Sequence, residues 1–243
     1  MPKVAKYPGV TDRQEIGVKS STRSGIRSVA ATKLLGRKPL NGRAMVVPTE
    51  TRSTQDAILD AADRMIARHG LRKMTMEDVA QEAGVSRRTV YGYFANKQEL
   101  ALASIHRVVQ QAHAKIAEEA KTDEPAAERL YRMLVARVAV RIEKVRDISR
   151  SLDSIFSVVR PAYMQKRRQY FEQEAEMLAE VIEEGQREGT FGSIDALETA
   201  RLFVEATNAY LPYSLSIEEL EQPGDLRDRI QKMAAILVAG IIR

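Results

Sequence analysis

The sequence predicts an all-α protein, and three observations carry that reading. From position 54 onward, apolar residues recur at intervals of three and four, the period of one helix face, with no convincing strand-like alternation. Aromatics make up 5% of the chain and Trp is absent, so the core has to come from Leu, Ile, Val, Ala and Met, which suit helices. Gly and Pro fall between the periodic stretches, where helices stop and start. A chain of 243 residues has room for a sizeable core in one or two domains. The lack of Cys removes a disulfide framework, thiol redox sensing and zinc-finger sites, and fits a reducing cytoplasm.

The elements follow in order. Ile58, Ala61, Ala62, Met65 and Ile66 form one face of a first helix over 54–69, which Gly70 ends. Thr75 is placed to cap a second helix, with Glu77 and Asp78 in its first turn, where the helix dipole favours acids. Val79, Ala80 and Ala83 share a face of that helix. Gly84 supplies the positive φ that ends it, and Val85 is the apolar turn residue that plugs between helices. Ser86 is a good N-cap for a third helix, whose inward side is Val90 and Phe94. Asn96 caps a long fourth helix carrying Leu100, Ile105, Val108 and Val109. Pro125 marks the next start, followed by Leu130, Leu134, Val138 and Ile142 at four-residue spacing. Residues 145–159 form another apolar-faced stretch. Pro161 is expected to open a long charged helix to about 188, with Met164, Phe171, Met177, Leu178, Val181 and Ile182 inward. A loop over 189–193 leads to a helix with Leu197, Ala200, Phe203, Val204 and Thr207. Pro223 and Gly224 read as a turn, and Ile230, Met233, Ala234, Leu237, Val238 and Ile241 mark the last helix.

The stretch TMEDVAQEAGVSRRTVYGYFANK, residues 75–97, has the form of a helix-turn-helix, which places its second helix in the DNA major groove. The outer face of that helix carries Arg87, Arg88, Thr89, Tyr91 and Tyr93, donors of the kind that meet phosphates and base edges. Lys97, in the first turn of the fourth helix, opposes that helix's dipole, a choice that a nearby phosphate would explain. Either arginine alone reads as a solvated charge and either tyrosine alone as a core aromatic; the conjunction points to DNA.

Residues 54–102 resemble the DNA-binding domain of the TetR family of bacterial transcription regulators. The matching words are ILDAADRMIARHG, TMEDVAQEAGVSRRTVYGYF and NKQEL, about a fifth of the chain. The resemblance implies an all-α architecture: an N-terminal three-helix helix-turn-helix DNA-binding domain followed by a larger helical effector-binding and dimerisation domain. It sets the divisions at 1–50, 51–97 and 98–243. Carried over by position, it makes Arg87, Arg88, Thr89 and Tyr91 groove contacts and Thr75, Tyr93 and Lys97 phosphate contacts, with Ser86 opening the helix. It implies a homodimer through the last two helices, at roughly 195–242, and a bacterial, cytoplasmic protein that joins the nucleoid when bound to DNA. Two positions depart from the family's habit: Arg88 stands where a small residue is common, and Gly92 where a large polar or aromatic one is. No relative's operator is therefore transferable.

Residues 1–50 are read as a disordered basic extension, with ten Lys or Arg against three acids, a net of +7 that leaves −2 for the rest. Ile26, Val29, Ala30, Lys33 and Leu34 hint at a short basic amphipathic helix. Three readings stay open: an arm that touches phosphates nonspecifically, a transit peptide, or a start site set too early, with Met45 as the true start. The transit reading fits a bacterial regulator least.

No catalytic or metal constellation is legible. His106 and His113 lie seven apart, not four, and read as solvated or capping; His69 stands alone. Glu172, Glu174, Glu176, Glu180, Glu183 and Glu184 read as a solvated helix face, because no His follows a Glu by three. No P-loop, dinucleotide fingerprint or nucleophile elbow appears, and no apolar run approaches a membrane span of ~20 residues. No cofactor is expected. Met133, Arg137, Phe156, Met164, Tyr170, Phe203 and Asn208 are the candidate lining of an effector pocket suited to an apolar or aromatic small molecule, although the same residue types build plain cores. The resulting expectation is a dimeric regulator, a repressor that binds a palindromic double-stranded operator and is released by a small-molecule effector. The rival from another class is a helical small-molecule-binding or scaffolding protein with a vestigial DNA motif. An enzyme comes third.

Overall fold

The computed structural model describes residues 53–243. The readings of the N-terminal extension, its disorder, its short basic helix and its start site, lie outside the described residues.

Helix α1 (Thr54–Lys73) begins on Ser53, whose Oγ accepts the Asp56 N–H at 3.0 Å. Gly70 interrupts it at φ 75°, and one further turn follows because Leu71 and Met74 bury against the same core. Helix α2 (Met76–Ala83) opens with a reciprocal capping box: the Asp78 N–H donates to Thr75 Oγ1 at 3.1 Å, and the Thr75 N–H donates to Asp78 Oδ2 at 3.0 Å. Gly84 ends it in the left-handed region, φ 68°, which a residue with a Cβ adopts only at a cost. Helix α3 (Arg87–Tyr93) is capped by Ser86. Helix α4 (Lys97–Ala120) starts from Asn96, whose Oδ1 accepts the Glu99 N–H at 2.9 Å. Ile58, Ile66, Val79, Val90, Phe94 and Leu100 bury together as the core of this three-helix unit and the start of α4.

Helix α5 (Ala126–Val145) buries Leu130, Leu134, Val138 and Ile142, as their spacing predicts. A 3₁₀ segment (Arg146–Ser151) joins it to α6 (Leu152–Arg187). Here the expectation needs correcting: Pro161 lies inside α6, nine residues past its start. An interior proline costs roughly 3 kcal/mol. The packing of Ile155, Val159 and Tyr163 on either side holds the helix through it, while Pro161 itself is exposed. Those three residues continue through Tyr170, Glu174, Leu178 and Ile182 as one inward stripe. Met164 is one position off that stripe and is 44% exposed, so it is not inward. Ile155 and Val159 join the core of the helix-turn-helix unit, so α6 packs on both halves of the molecule.

Gly189 (φ 78°) turns the chain out of α6, and Gln186 Nε2 pins the loop by donating to the carbonyls of Gly192 (2.9 Å) and Ile194 (2.8 Å). Asp195 caps α7 (Ala196–Thr207). Two 3₁₀ turns (Asn208–Tyr210 and Pro212–Ser214) and a short α8 (Ile217–Glu221) follow. The expected turn at Pro223 and Gly224 is instead the first turn of α9 (Pro223–Ala239), where the missing N–H of proline costs nothing. An isolated antiparallel bridge, Phe191 with Ile242, ties the residues after α9 to the α6–α7 loop. Among the described residues, no helix is long and apolar enough to cross a membrane.

Candidate nucleic-acid interface and the cavity behind it

Four of the residues read as DNA contacts present their side chains outward on α3: Arg87, Arg88, Tyr91 and Tyr93. The two tyrosines are 42% and 46% exposed, unusual for large aromatics beside a core that takes Val90 and Phe94. Arg87 is held in place: its guanidinium lies 5.3 Å from the Tyr91 ring centroid, and its Nε meets Glu77 Oε1 at 2.6 Å. Tyr91 and Glu77 together keep it firmly protonated. The other four are occupied locally. Ser86 Oγ accepts the Thr89 N–H at 3.0 Å and lies 2.8 Å from Thr89 Oγ1. Thr75 is in the α2 capping box. Lys97 Nζ donates to the carbonyls of Leu71 (3.3 Å) and Arg72 (3.1 Å), the C-terminal end of α1, where a cation complements the dipole. That contact accounts for a lysine in the first turn of α4 without a phosphate. It also joins α1 to α4.

Ion pairs fix how this face is carried. Arg64 Nε and Arg68 Nη1 grip Glu82 at 2.6 and 3.1 Å, locking α2 to α1. Arg107 reaches from α4 to Asp60 (2.6 Å) and Asp63 (2.5 Å) on α1. These pairs join α2 to α1 and α1 to α4.

Directly behind lies a cavity of about 300 Å³. Ile66 and Ala67 of α1, Ser104, Ile105 and Val109 of α4, Arg141 of α5, Phe156 and Tyr163 of α6, and Tyr213 all line it. A second cavity of about 390 Å³ adjoins it, with Phe156, Tyr163 and Tyr213 in its wall as well, and Met164 and Arg167 on its far side. Burial, together with neighbouring Tyr213, pushes the Tyr163 phenol up to about 12, so it faces the cavity as a neutral group.

Beneath the cavity is a buried polar network that the sequence reading placed in solvent. Glu174 is completely buried. Its Oε2 accepts Arg137 Nε at 2.6 Å, its Oε1 accepts Arg141 Nη2, and His113 Nε2 lies 3.0 Å away. Burial works against the charged carboxylate, but Arg137, Arg141 and His113 outweigh it and hold the Glu174 pKa down at about 2. Arg137 also donates to Thr207 Oγ1 (2.8 Å) and Asn208 Oδ1 (2.7 Å) and stacks on Phe171. The six-Glu solvated face is thus corrected at Glu174, and the solvated or capping reading of the histidines at His113, whereas His106 is exposed. His106 Nδ1 lies 2.8 Å from Tyr170 Oη, and burial, with Lys166 and His113 nearby, lowers its pKa. Among the described residues no cluster of His, Cys, Asp or Glu could hold a metal.

The seven residues read as an effector pocket are not brought together. Phe156 lines both cavities and Met164 the outer one. Arg137, Tyr170 and Asn208 belong to the polar layer beside them, and Met133 and Phe203 pack in the core between α5, α6 and α7. Sequence reasoning missed Arg141, Ser104 and Tyr213. Arg137 and Arg141 are one helical turn apart on the buried face that also carries Leu134 and Val138. That pair of cations in an apolar stripe was the available signal.

The comparisons agree with this architecture. Residues 58–104 match the family model described as "Bacterial regulatory proteins, tetR family", and residues 126–232 match "Tetracyclin repressor-like, C-terminal domain". An uncharacterized HTH-type transcriptional regulator of Haemophilus influenzae is 36% identical over 78 residues, 32% of this chain and 42% of that protein, so the match spans less than half the relative's length. The uncharacterized HTH-type transcriptional regulator YfiR of Bacillus subtilis is 26% identical over 172 residues, 68% of this chain and 82% of its own. The crystal structure of a transcriptional regulator from Cytophaga hutchinsonii shares the fold, with a TM-score of 0.62 at 22% identity, covering 76% of this chain and 97% of that one. These relatives are transcriptional regulators rather than enzymes. With a helix-turn-helix unit matched at one end and the family's C-terminal domain at the other, the chain belongs to the TetR family of transcriptional regulators.

Proposed function

We propose that the protein is a dimeric, ligand-released repressor. Two copies of α3 enter successive major grooves of a palindromic operator, with Arg87, Arg88 and Tyr91 toward base edges and Tyr93, Thr75 and Lys97 toward the phosphates. The observation that carries the reading is the outer face of α3, two arginines and two exposed tyrosines over a fully apolar underside. Leu202 on α7 and Ile236 on α9 support the dimer. They are 56% and 68% exposed, large and apolar, on two helices that pack against each other near the end of the chain. The cavity supports ligand release. Its wall includes α1, which carries the reading unit, and α4, α5 and α6, so a ligand there bears on the packing that sets the pose of α3. The ligand must prefer the released arrangement, since equal affinity for both shifts nothing.

In vitro selection from random DNA, at stated salt, tests this with wild type and the Arg87→Ala/Arg88→Ala variant side by side. Wild type should return a palindrome with half-sites about one helical turn apart. The variant should lose it, with affinity down about thirtyfold or more if each arginine supplies ~1–3 kcal/mol of base discrimination. Retention of the palindrome by the variant would sink the site assignment.

A further inference from the structure

The cavity behind α1 has an unfinished polar end. Ser104 Oγ and Tyr213 Oη are both buried without a hydrogen-bond partner, and both residues line that cavity. Buried polar groups are normally paired, and an orphaned one costs free energy, so two on residues that line the same cavity call for an acceptor there.

The charge count at the same place is also incomplete. Arg141, 5% exposed, lines the cavity and shares Glu174 with Arg137. Two guanidiniums thus face one carboxylate. Their remaining partners, Thr207, Asn208 and the Arg137 carbonyl, are neutral, and His113 adds no negative charge. Of the other charged groups lining the cavity, Asp63 is paired with Arg107 and Arg64 with Glu82, while Lys144 is a further cation. Tyr163 and Tyr213 supply no anion either, because burial raises both phenols above their ordinary value. One positive charge is left over in a setting where unbalanced charge is costly.

We propose that this cavity binds a small monocarboxylic acid with an apolar body. Its carboxylate accepts from Arg141, Ser104 and Tyr213, and its hydrocarbon lies among Ile66, Ile105, Val109, Ile155 and Phe156. A volume of about 300 Å³, at the low end of small-molecule sites, sets the scale at a medium-chain or single-ring acid. The inference rests on the reading that this cavity takes the effector, and it adds the chemistry of the head group.

The test is isothermal titration of the full-length protein with two matched pairs, octanoate against octanamide and 3-phenylpropanoate against its amide. Each ligand is also added to the protein bound to a DNA fragment recovered by selection, followed by fluorescence anisotropy. At least one acid should bind about tenfold or more tightly than its amide, and the Ser104→Ala/Tyr213→Phe variant, which deletes two hydroxyls with little change of shape, should bind that acid about tenfold or more weakly than wild type does. Equal binding of acid and amide, or no binding of either acid, would overturn the proposal. So would undiminished affinity for the acid in the variant. The DNA arm separates the two readings. An acid preference without release of DNA supports the head-group assignment and defeats effector release. Release by the amides as readily as by the acids does the reverse.

Discussion

Every buried residue between 53 and 103 is apolar, whereas in the helical domain Arg129, Arg137, Arg141, Glu174 and Thr207 are buried as well. In the DNA-reading unit, polar chemistry acts at helix ends: Ser53, Thr75, Ser86 and Asn96 each accept a backbone N–H of the helix they open. These bonds span three residues and form as soon as the helix does. In the helical domain, polar chemistry sits inside. Glu174 meets partners 33, 37 and 61 residues away, from two other helices. The first kind of unit is held by apolar burial and local caps. The second depends on charge balance among distant elements, and its imbalance is where a ligand has something to offer.

The largest break in that contrast should come from Glu174→Gln. It removes the negative charge and leaves two buried guanidiniums without a counterion, a change that costs on the order of 3–5 kcal/mol in comparable buried pairs. Urea denaturation should show the midpoint falling with an unchanged slope. Glu82→Gln, which loosens the exposed Arg64–Glu82–Arg68 cluster in the reading unit, should move it little. Equal losses from the two variants would mean that burial does not distinguish the regions.

Acid should produce the next largest effect. Glu174 titrates at about 2 in the folded protein against an ordinary 4.5, so its contribution is complete above about pH 4.5 and is lost as pH falls toward 2. That difference is worth on the order of 3 kcal/mol. Stability measured at pH 6, 4.5 and 3 should decline more steeply in wild type than in Glu174→Gln. Parallel declines would assign the acid sensitivity to the surface carboxylates.

Legibility follows the same division. Both ends of α2, the Ser86 cap and the inward pair Val90 and Phe94 stand where the sequence places them, because each is decided by a few neighbouring residues. The errors fall where the deciding partner is far away. Pro161 looks like a helix start until Ile155, Val159 and Tyr163 are seen to anchor the helix around it. Glu174 looks like one of six solvated glutamates until Arg137 and Arg141 are brought beside it. Lys97 looks misplaced in the first turn of a helix until the end of α1 brings its carbonyls to the ammonium. Met133 and Phe203 have the composition of pocket residues, and only the packing of α5 on α6 and α7 places them in the core.

Two glycines carry the comparison to single atoms. Gly185, in α6, has no room for a side chain: a Cβ there would overlap the Phe191 ring and stand 3.0 Å from Ala126 Cβ. Phe191 is buried and tied into the bridge with Ile242, so the ring cannot simply swing away. Gly185→Ala should therefore destabilise by about 1–3 kcal/mol, the usual cost of overpacking, despite the better helix propensity of alanine. A rise in melting temperature would show that the α6–α7 loop yields.

Gly92, in α3, is the opposite case and carries the smallest effect. A Cβ there meets nothing within 4 Å. Gly92→Ala should stabilise the short helix by up to about 1 kcal/mol, raising the melting temperature by roughly 2–4 °C. Gly92 lies one turn beyond Arg88, on the face proposed to enter the groove, so the space open in the free protein is the space DNA would fill. The expected outcome is a split in sign, higher stability with weaker DNA binding. If affinity instead rose with stability, the surface around Gly92 would not be in close contact with DNA, and the orientation assigned to α3 would have to turn away from Arg88.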